Sequence, residues 1–388
     1  MKIAIYVTNF KNDLMEAISL NATRLAFLAG KQADCTLLVP GEISNDAGEM
    51  PGLNWESYDR SYTYASKGRV LKNIIGLGRH LRRRLDEFDI VHIHVGNLLE
   101  LFLIRTFVPR PRGVTIVTVW QPYLGFLESL QFPAKFGRKF LKVVHHILFN
   151  SWALVPLYFF GHSFFDRIVV PTKYQKSQLS FFPTEKICVI PNGVPSPREE
   201  SHRPVNDPPL VLYIGHATAV KGIDTMLRAF AMALGEKNFR VTLGTSNFGD
   251  QKIQDEVDRH GLNHITNLKG CVDVYSEMIR HDIFILPHKT AVGTTCYPNV
   301  ALEAFACGIP LIATRTPVLE ELIADEEAGM LVSLDGGPQE LKEALLILLA
   351  NAERRDSIRR VQKAVFLKHY TIEGCTEAYL RLYRELAK

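Results

Sequence analysis

No Gly-x-Gly-x-x-Gly follows the first apolar segment of this chain; residues 9–13 read Asn-Phe-Lys-Asn-Asp. That argues against a dinucleotide-dependent oxidoreductase, because the phosphate-cradling turn of such enzymes is missing. Gly76-x-Gly78 does not replace it, since it lies in a basic segment with no strand read before it. Cysteine is sparse and scattered: six residues (Cys35, Cys188, Cys271, Cys296, Cys307, Cys375) and no Cys-x-x-Cys. Most lie in apolar context, so reduced, buried thiols and a reducing compartment are expected. Neither an Asp-x-Asp nor a clustered His/Cys set appears, so no metal and no cofactor are expected. The most apolar segment, 132–160, is interrupted by His145, His146, Asn150 and Pro156, which removes it as a membrane span of about 20 residues. No leader is read before the first strand, and a cytoplasmic location is the expectation.

What is present suits two packed domains. The chain has 388 residues, 47% apolar and 22% charged, enough for two cores. A net charge of +4 gives no reason to expect nucleic acid as a partner. Residues 1–8 read as a buried strand, 13–28 as a helix and 34–39 as a second strand, the opening of a doubly wound sheet. Residues 41–66 read as a polar loop region. Further strands are expected at 89–95, 114–119, 167–171 and 187–190, with a helix at 173–181. Residues 195–209, rich in Pro, Glu, Ser and Arg, read as a linker. A second series then begins, with strands at 210–214, 240–243, 264–268, 283–286, 309–313 and 329–332. Helices are expected at 222–234, 338–350, 353–368 and 371–387. The architecture is α/β, with Rossmann-like domains at 1–194 and 210–370.

The stretch from 283 to 314 parses as one βαβ unit. An apolar strand enters a polar loop (288–297), Pro298 opens a helix, Gly308 stops it, and another buried strand follows. Loops at this position gather anionic and polyol ligands, because helix N–H groups point into them. The loop carries Thr290, Thr294 and Thr295, hydroxyls that suit a polyol, with backbone N–H groups around Gly293. Glu303 lies on the helix among apolar neighbours; it is either a capping or salt-bridged carboxylate or an acceptor for two ribose hydroxyls. Earlier, 212–222 reads Leu-Tyr-Ile-Gly-His-Ala-Thr-Ala-Val-Lys-Gly. Gly215 permits close backbone approach, and Lys221 adds a charge at a helix mouth that is already electropositive. Taken alone Lys221 reads as an exposed lysine before a helix; beside the Glu303 stretch, a diphosphate ligand becomes the better reading.

The words Pro-Asn-Val-Ala-Leu-Glu-Ala-Phe-Ala-Cys-Gly-Ile-Pro-Leu-Ile-Ala (298–313) resemble the signature of family 4 glycosyltransferases. The resemblance implies the GT-B fold: two Rossmann-like doubly wound domains facing across a cleft. The first would take the acceptor, with the last helix (371–388) packed back on it, and Pro191-Asn192-Gly193-Val194 closing it. The second would take the donor. The resemblance also implies transfer of a sugar, a hexose by expectation, from a nucleotide-diphosphate sugar to a glycan or lipid-linked glycan, with retention and without metal. Lys221 and Glu303 are then the catalytic candidates, for diphosphate and ribose. Gly215, His216, Gly293, Thr294, Thr295 and Asn299 are the substrate-binding candidates. Three positions depart from the pattern: Thr295 replaces a second Glu, Trp120 a cleft His, and His216 an Arg. The alternative is an inactive GT-B scaffold or binding protein; a phosphorylase or epimerase of this fold finds no support in these residues.

Two segments bear on partners. Residues 67–85 interleave Lys67, Arg69, Lys72, Arg79, Arg82, Arg83 and Arg84 with aliphatic side chains, and 132–160 places basic residues before aromatic ones. Either segment reads as a solvated or buried helix or as contact with an anionic membrane surface.

Overall fold

The computed structural model describes residues 1–8, 10, 17–43, 50–59, 69–96, 98–122, 164–179, 182–198, 204–216, 221–245, 251–270, 272–290, 297–324 and 326–388. Gly293, Thr294, Thr295 and the whole of 132–160 lie outside them. The described chain divides into two compact units, Met1–Gly193 with Ile372–Lys388, and Val194–Ala291 with Tyr297–Thr371.

The first unit is built on seven strands: β1 (Lys2–Val7), β2 (Asp34–Pro40), β3 (Trp55–Asp59), β4 (Ile90–Val95), β5 (Val114–Val119), β6 (Arg167–Val170) and β7 (Ile187–Val189). They form one sheet in the order β3-β2-β1-β4-β5-β6-β7, and every pairing is parallel. Among the described residues its helices are α1 (Ala17–Gly30), α2 (Arg69–Arg82), α3 (Leu98–Phe107), α4 (Lys173–Gln178) and the last helix of the chain, Ile372–Leu386. Parallel strands need covering on both faces. One face carries a core with Ile74, Leu77, Leu81, Leu101 and Ile104 from α2 and α3. The other buries Ile18, Ala22 and Leu25 of α1 with Tyr379, Leu380 and Tyr383 of the last helix.

The second unit holds β8 (Leu210–Ile214), α5 (Ile223–Leu234), β9 (Arg240–Gly244), α6 (Gln251–Arg259), β10 (Thr266–Lys269), α7 (Val274–Arg280), β11 (Ile283–Leu286), α8 (Asn299–Cys307), β12 (Leu311–Thr314), α9 (Pro317–Leu322), β13 (Met330–Val332), α10 (Gly337–Ala350) and α11 (Ala352–His369). The last helix of the chain, in the first unit, is then α12. The strands run β10-β9-β8-β11-β12-β13, again all parallel.

Three local expectations change. Residues 41–66 are not loop throughout: Trp55–Asp59 is an edge strand paired to β2 alone, polar enough to hide its period. The segment after Gly96 forms α3, a short helix not expected from its sequence. Pro298 does not open α8 but flanks it, with extended backbone (ψ 126°) before Asn299. Gly308 does end α8, in the left-handed conformation at φ 62°. The described cysteines Cys35, Cys188, Cys307 and Cys375 are free thiols.

Candidate functional site

In the second sheet the chain builds outward from two neighbouring strands in opposite directions: β8, β9, β10 one way and β11, β12, β13 the other. Between β8 and β11 lies the topological switch point, where the loops at the strand carboxyl ends diverge and leave a crevice. The loop after β8 carries Gly215, His216 and Lys221 into α5. The loop after β11 carries Pro287, His288 and Lys289 towards α8 and Glu303.

These two loops are locked together. Gly222 sits at φ 71°, and a Cβ there would lie 1.8 Å from the Pro287 carbonyl oxygen, so no other residue fits. Lys289 Nζ lies 2.8 Å from Asp224 Oδ1 and 2.9 Å from Oδ2, and Asp224 occupies the first turn of α5, where a carboxylate complements the helix dipole. Tyr213 is buried and donates its hydroxyl to the His216 carbonyl at 2.9 Å. Gly215 donates its N–H to the Gly244 carbonyl at 3.0 Å.

Lys221 is not the exposed lysine that its sequence context alone suggests. Burial pushes its ammonium down to about 8. His288 is 4% exposed; burial first, and the charge of Lys221 second, hold it well below the usual imidazole range, so it is neutral. Asn299 is the first residue of α8, and the flanking Pro298 supplies no side-chain cap. Glu303 is 6% exposed, one turn further along. Gly215, His216 and Lys221 thus lie on the loop that leaves β8, and Asn299 and Glu303 on the helix that the loop after β11 enters. The structure adds His288, Lys289 and Asp224, which sequence reasoning missed. The available signal was position: the first polar residues after a buried parallel strand.

In the first sheet the equivalent reversal lies between β1 and β4. Thr8, just past β1, donates its hydroxyl to the Glu100 carboxylate, and Asn73 Nδ2 donates to the Thr8 carbonyl at 2.7 Å. Glu100 is buried in the first turn of α3. Neither Thr8 nor Glu100 stands out in the sequence. Trp120 does not stand in an open cleft. It is 2% exposed, stacks on His94 at 5.7 Å between ring centroids, and donates from Nε1 to His94 Nδ1 at 3.0 Å. That bond fixes the His94 proton on Nε2, and burial pushes the imidazole down to about 3. His94 and Trp120 are a structural pair.

Of the basic segment 67–85, the structure describes residues 69–85. Ile74, Leu77 and Leu81 of α2 belong to the core, so they are not available to enter a membrane. Lys72, Arg79, Arg82 and Arg83 are exposed. Arg84 is instead bound to the Glu56 and Glu87 carboxylates and lies over the Phe88 ring. No helix among the described residues is long and apolar enough to cross a membrane.

A family model described as Glycosyltransferase Family 4 matches residues 27–198, and one described as Glycosyl transferases group 1 matches residues 208–351. An uncharacterized glycosyltransferase of Methanocaldococcus jannaschii is 30% identical over 224 residues, 57% of this chain and 60% of that protein; the chain thus matches less than two thirds of that relative's length. Among solved structures, sucrose-phosphate synthase from Thermosynechococcus elongatus superposes with a TM-score of 0.75 at 14% identity, covering 100% of this chain and 99% of that one. HepE of Anabaena, in complex with UDP, gives 0.71 at 15% identity, with both chains covered in full. Two Rossmann-like parallel sheets with GT-B neighbours, and family models that between them take in most of the sequence, lead to one assignment: the chain belongs to the family 4 glycosyltransferases of GT-B fold, as a divergent member.

Proposed function

We propose that this chain transfers a hexosyl group from a nucleotide-diphosphate sugar to a glycan or lipid-linked glycan, with retention of anomeric configuration and without a metal ion. The observation that supports this reading is that the loop bearing Lys221 and the loop leading to the Glu303 helix leave neighbouring strands at the β8/β11 switch point of one sheet. The diphosphate would lie at the mouth of α5, against Lys221 and the backbone around Gly215 and His216. Glu303 would accept both ribose hydroxyls. Asn299 and the 293–295 loop would meet the sugar. As the glycosidic bond breaks, negative charge builds on the leaving diphosphate; Lys221 and the α5 N-terminus answer it in a partly buried site, where such charges act strongly. HepE, similar to this chain in fold, is a UDP-binding protein by its structure, which makes UDP the first nucleotide to test.

The acceptor belongs to the first unit in this reading, near Thr8 and Glu100. The location is cytoplasmic, with the exposed cations of α2 (Lys72, Arg79, Arg82, Arg83) meeting an anionic membrane surface. A thermal-shift panel of UDP, GDP, ADP and their sugars tests the reading: at least one should raise the melting temperature, and its sugar should be hydrolysed or transferred. If none does, the donor site assignment fails and the inactive-scaffold alternative takes its place.

A further inference from the structure

A cavity lined by arginine lies in the first unit, at the end of the sheet opposite the acceptor candidates. A cavity of about 380 Å³ is walled by Arg82, Arg105 and Arg110, with Phe107, Pro109 and Phe164 among its apolar residues. Residues 105–110 come just before β5 and Phe164 just before β6, which places the cavity at the amino ends of the strands. Thr8 and Glu100 stand at the carboxyl ends. The cavity is therefore separate from the place where an open α/β sheet takes its substrate.

Its chemistry is one-sided. Three guanidinium groups contribute to the wall, and no carboxylate does among the described residues. Asp166 binds Arg110 Nη2 at 2.9 Å through Oδ1 and the Thr115 N–H at 2.8 Å through Oδ2. Asp166 thereby fixes Arg110. Arg105 lies over the Phe164 ring, 5.8 Å from its centroid, a contact that steadies a guanidinium. Arg82 and Arg105 occupy the last turns of α2 and α3, where a cation complements the helix end. That accounts for their positions in sequence; it does not account for both sharing one cavity with Arg110. Planar guanidinium groups held around a concave surface match the oxygens of a phosphate. The volume is in the range of small-ligand sites.

We propose that this cavity binds a phosphate monoester group, carried by a soluble metabolite or by a lipid headgroup, independently of the donor site. The test uses the full chain. Glycerol 3-phosphate is titrated calorimetrically, with glycerol as the blank. In a second arm, binding is measured by flotation with phosphatidylcholine vesicles with and without phosphatidate. Arg82→Gln/Arg105→Gln is compared with Arg240→Gln, which removes an exposed charge on the other unit, and with Lys221→Met, which disables the donor loop. Circular dichroism melts establish that each variant is folded. The expected result is binding in at least one arm, weakened tenfold or more in the double variant and unchanged in Arg240→Gln and Lys221→Met. Binding of glycerol 3-phosphate identifies a soluble ligand, and binding only to phosphatidate vesicles identifies a headgroup. No binding in either arm, or equal binding by the double variant, overturns the proposal. Loss in Lys221→Met alone assigns the phosphate to the donor loop and overturns it too.

Discussion

At the scale of single residues, the buried ammonium of Lys221 makes the sharpest claim. Its proton is held less firmly than in an ordinary lysine because burial disfavours the charge, with a midpoint at about 8 in the free protein. An anionic ligand restores that lost stabilisation, so binding takes up a proton above this midpoint. UDP affinity should therefore be level below pH 7 and fall between pH 8 and 10, by up to roughly tenfold per unit. Lys221→Arg should flatten the profile, because an Arg does not titrate there. Lys221→Met should weaken binding by roughly tenfold to a hundredfold at pH 7, the loss of one charge-assisted contact. Calorimetric titration across pH checks all three, and a flat wild-type profile would remove Lys221 from the phosphate. Glu303 makes a separable claim. Glu303→Gln keeps the volume but leaves a single acceptor oxygen, so UDP should bind about tenfold more weakly while inorganic pyrophosphate binds as before. Equal losses for both ligands would mean a structural carboxylate.

At the scale of elements, the donor loops depend on the close approach of the α5 mouth to the end of β11. Gly222→Ala must leave the left-handed region or move Pro287, whose carbonyl oxygen stands where the new methyl would go. A cost of about 1–3 kcal/mol is expected, seen as a lower urea midpoint, together with loss of UDP binding as Lys221 shifts. Unchanged stability and binding would show that the two loops are not locked. How readily such features could be read from the sequence follows from their physics. β8 and β11 are apolar runs almost wholly buried, followed by Gly215 and Pro287, so both were legible to the residue. Trp55–Asp59 was not, because an edge strand with one neighbour needs little apolar pattern. Leu98–Phe107 was hidden because a ten-residue helix packed on a sheet looks like any apolar run. Lys221 and Glu303 were visible as types in a pattern; the burial that sets their chemistry was not, since it comes from distant strands. The Trp120–His94 bond was not legible for the same reason, since it joins a side chain of β4 to one just past β5.

At the scale of the whole molecule, each unit keeps imidazoles inside. His92 and His94 lie fully buried in the first; His281 and His288 are buried in the second. His92 is tied to Tyr383 at 2.6 Å and to Thr118 at 2.7 Å, joining α12 to the sheet of the first unit. Burial lowers the proton affinity of all four, the largest cause in every case. Released by unfolding, each would titrate near 6.5. Below that pH the unfolded chain binds protons that the folded chain refuses, so stability falls as the pH drops, by up to about 1.4 kcal/mol per pH unit for each histidine still neutral. Carboxylates are mostly ionised between pH 6.5 and 5 and leave the window to histidine. Urea unfolding should therefore show midpoints that are level from pH 8 to 7 and decline steeply from 6.5 to 5, in both units. His92→Gln should shallow the decline for the first unit only, read by the fluorescence of Trp120 and its neighbours against a probe on the second. A midpoint unchanged at pH 5 would mean that these rings accept protons where they lie, and the packing that isolates them, α12 on the first sheet included, would have to be looser than the geometry describes.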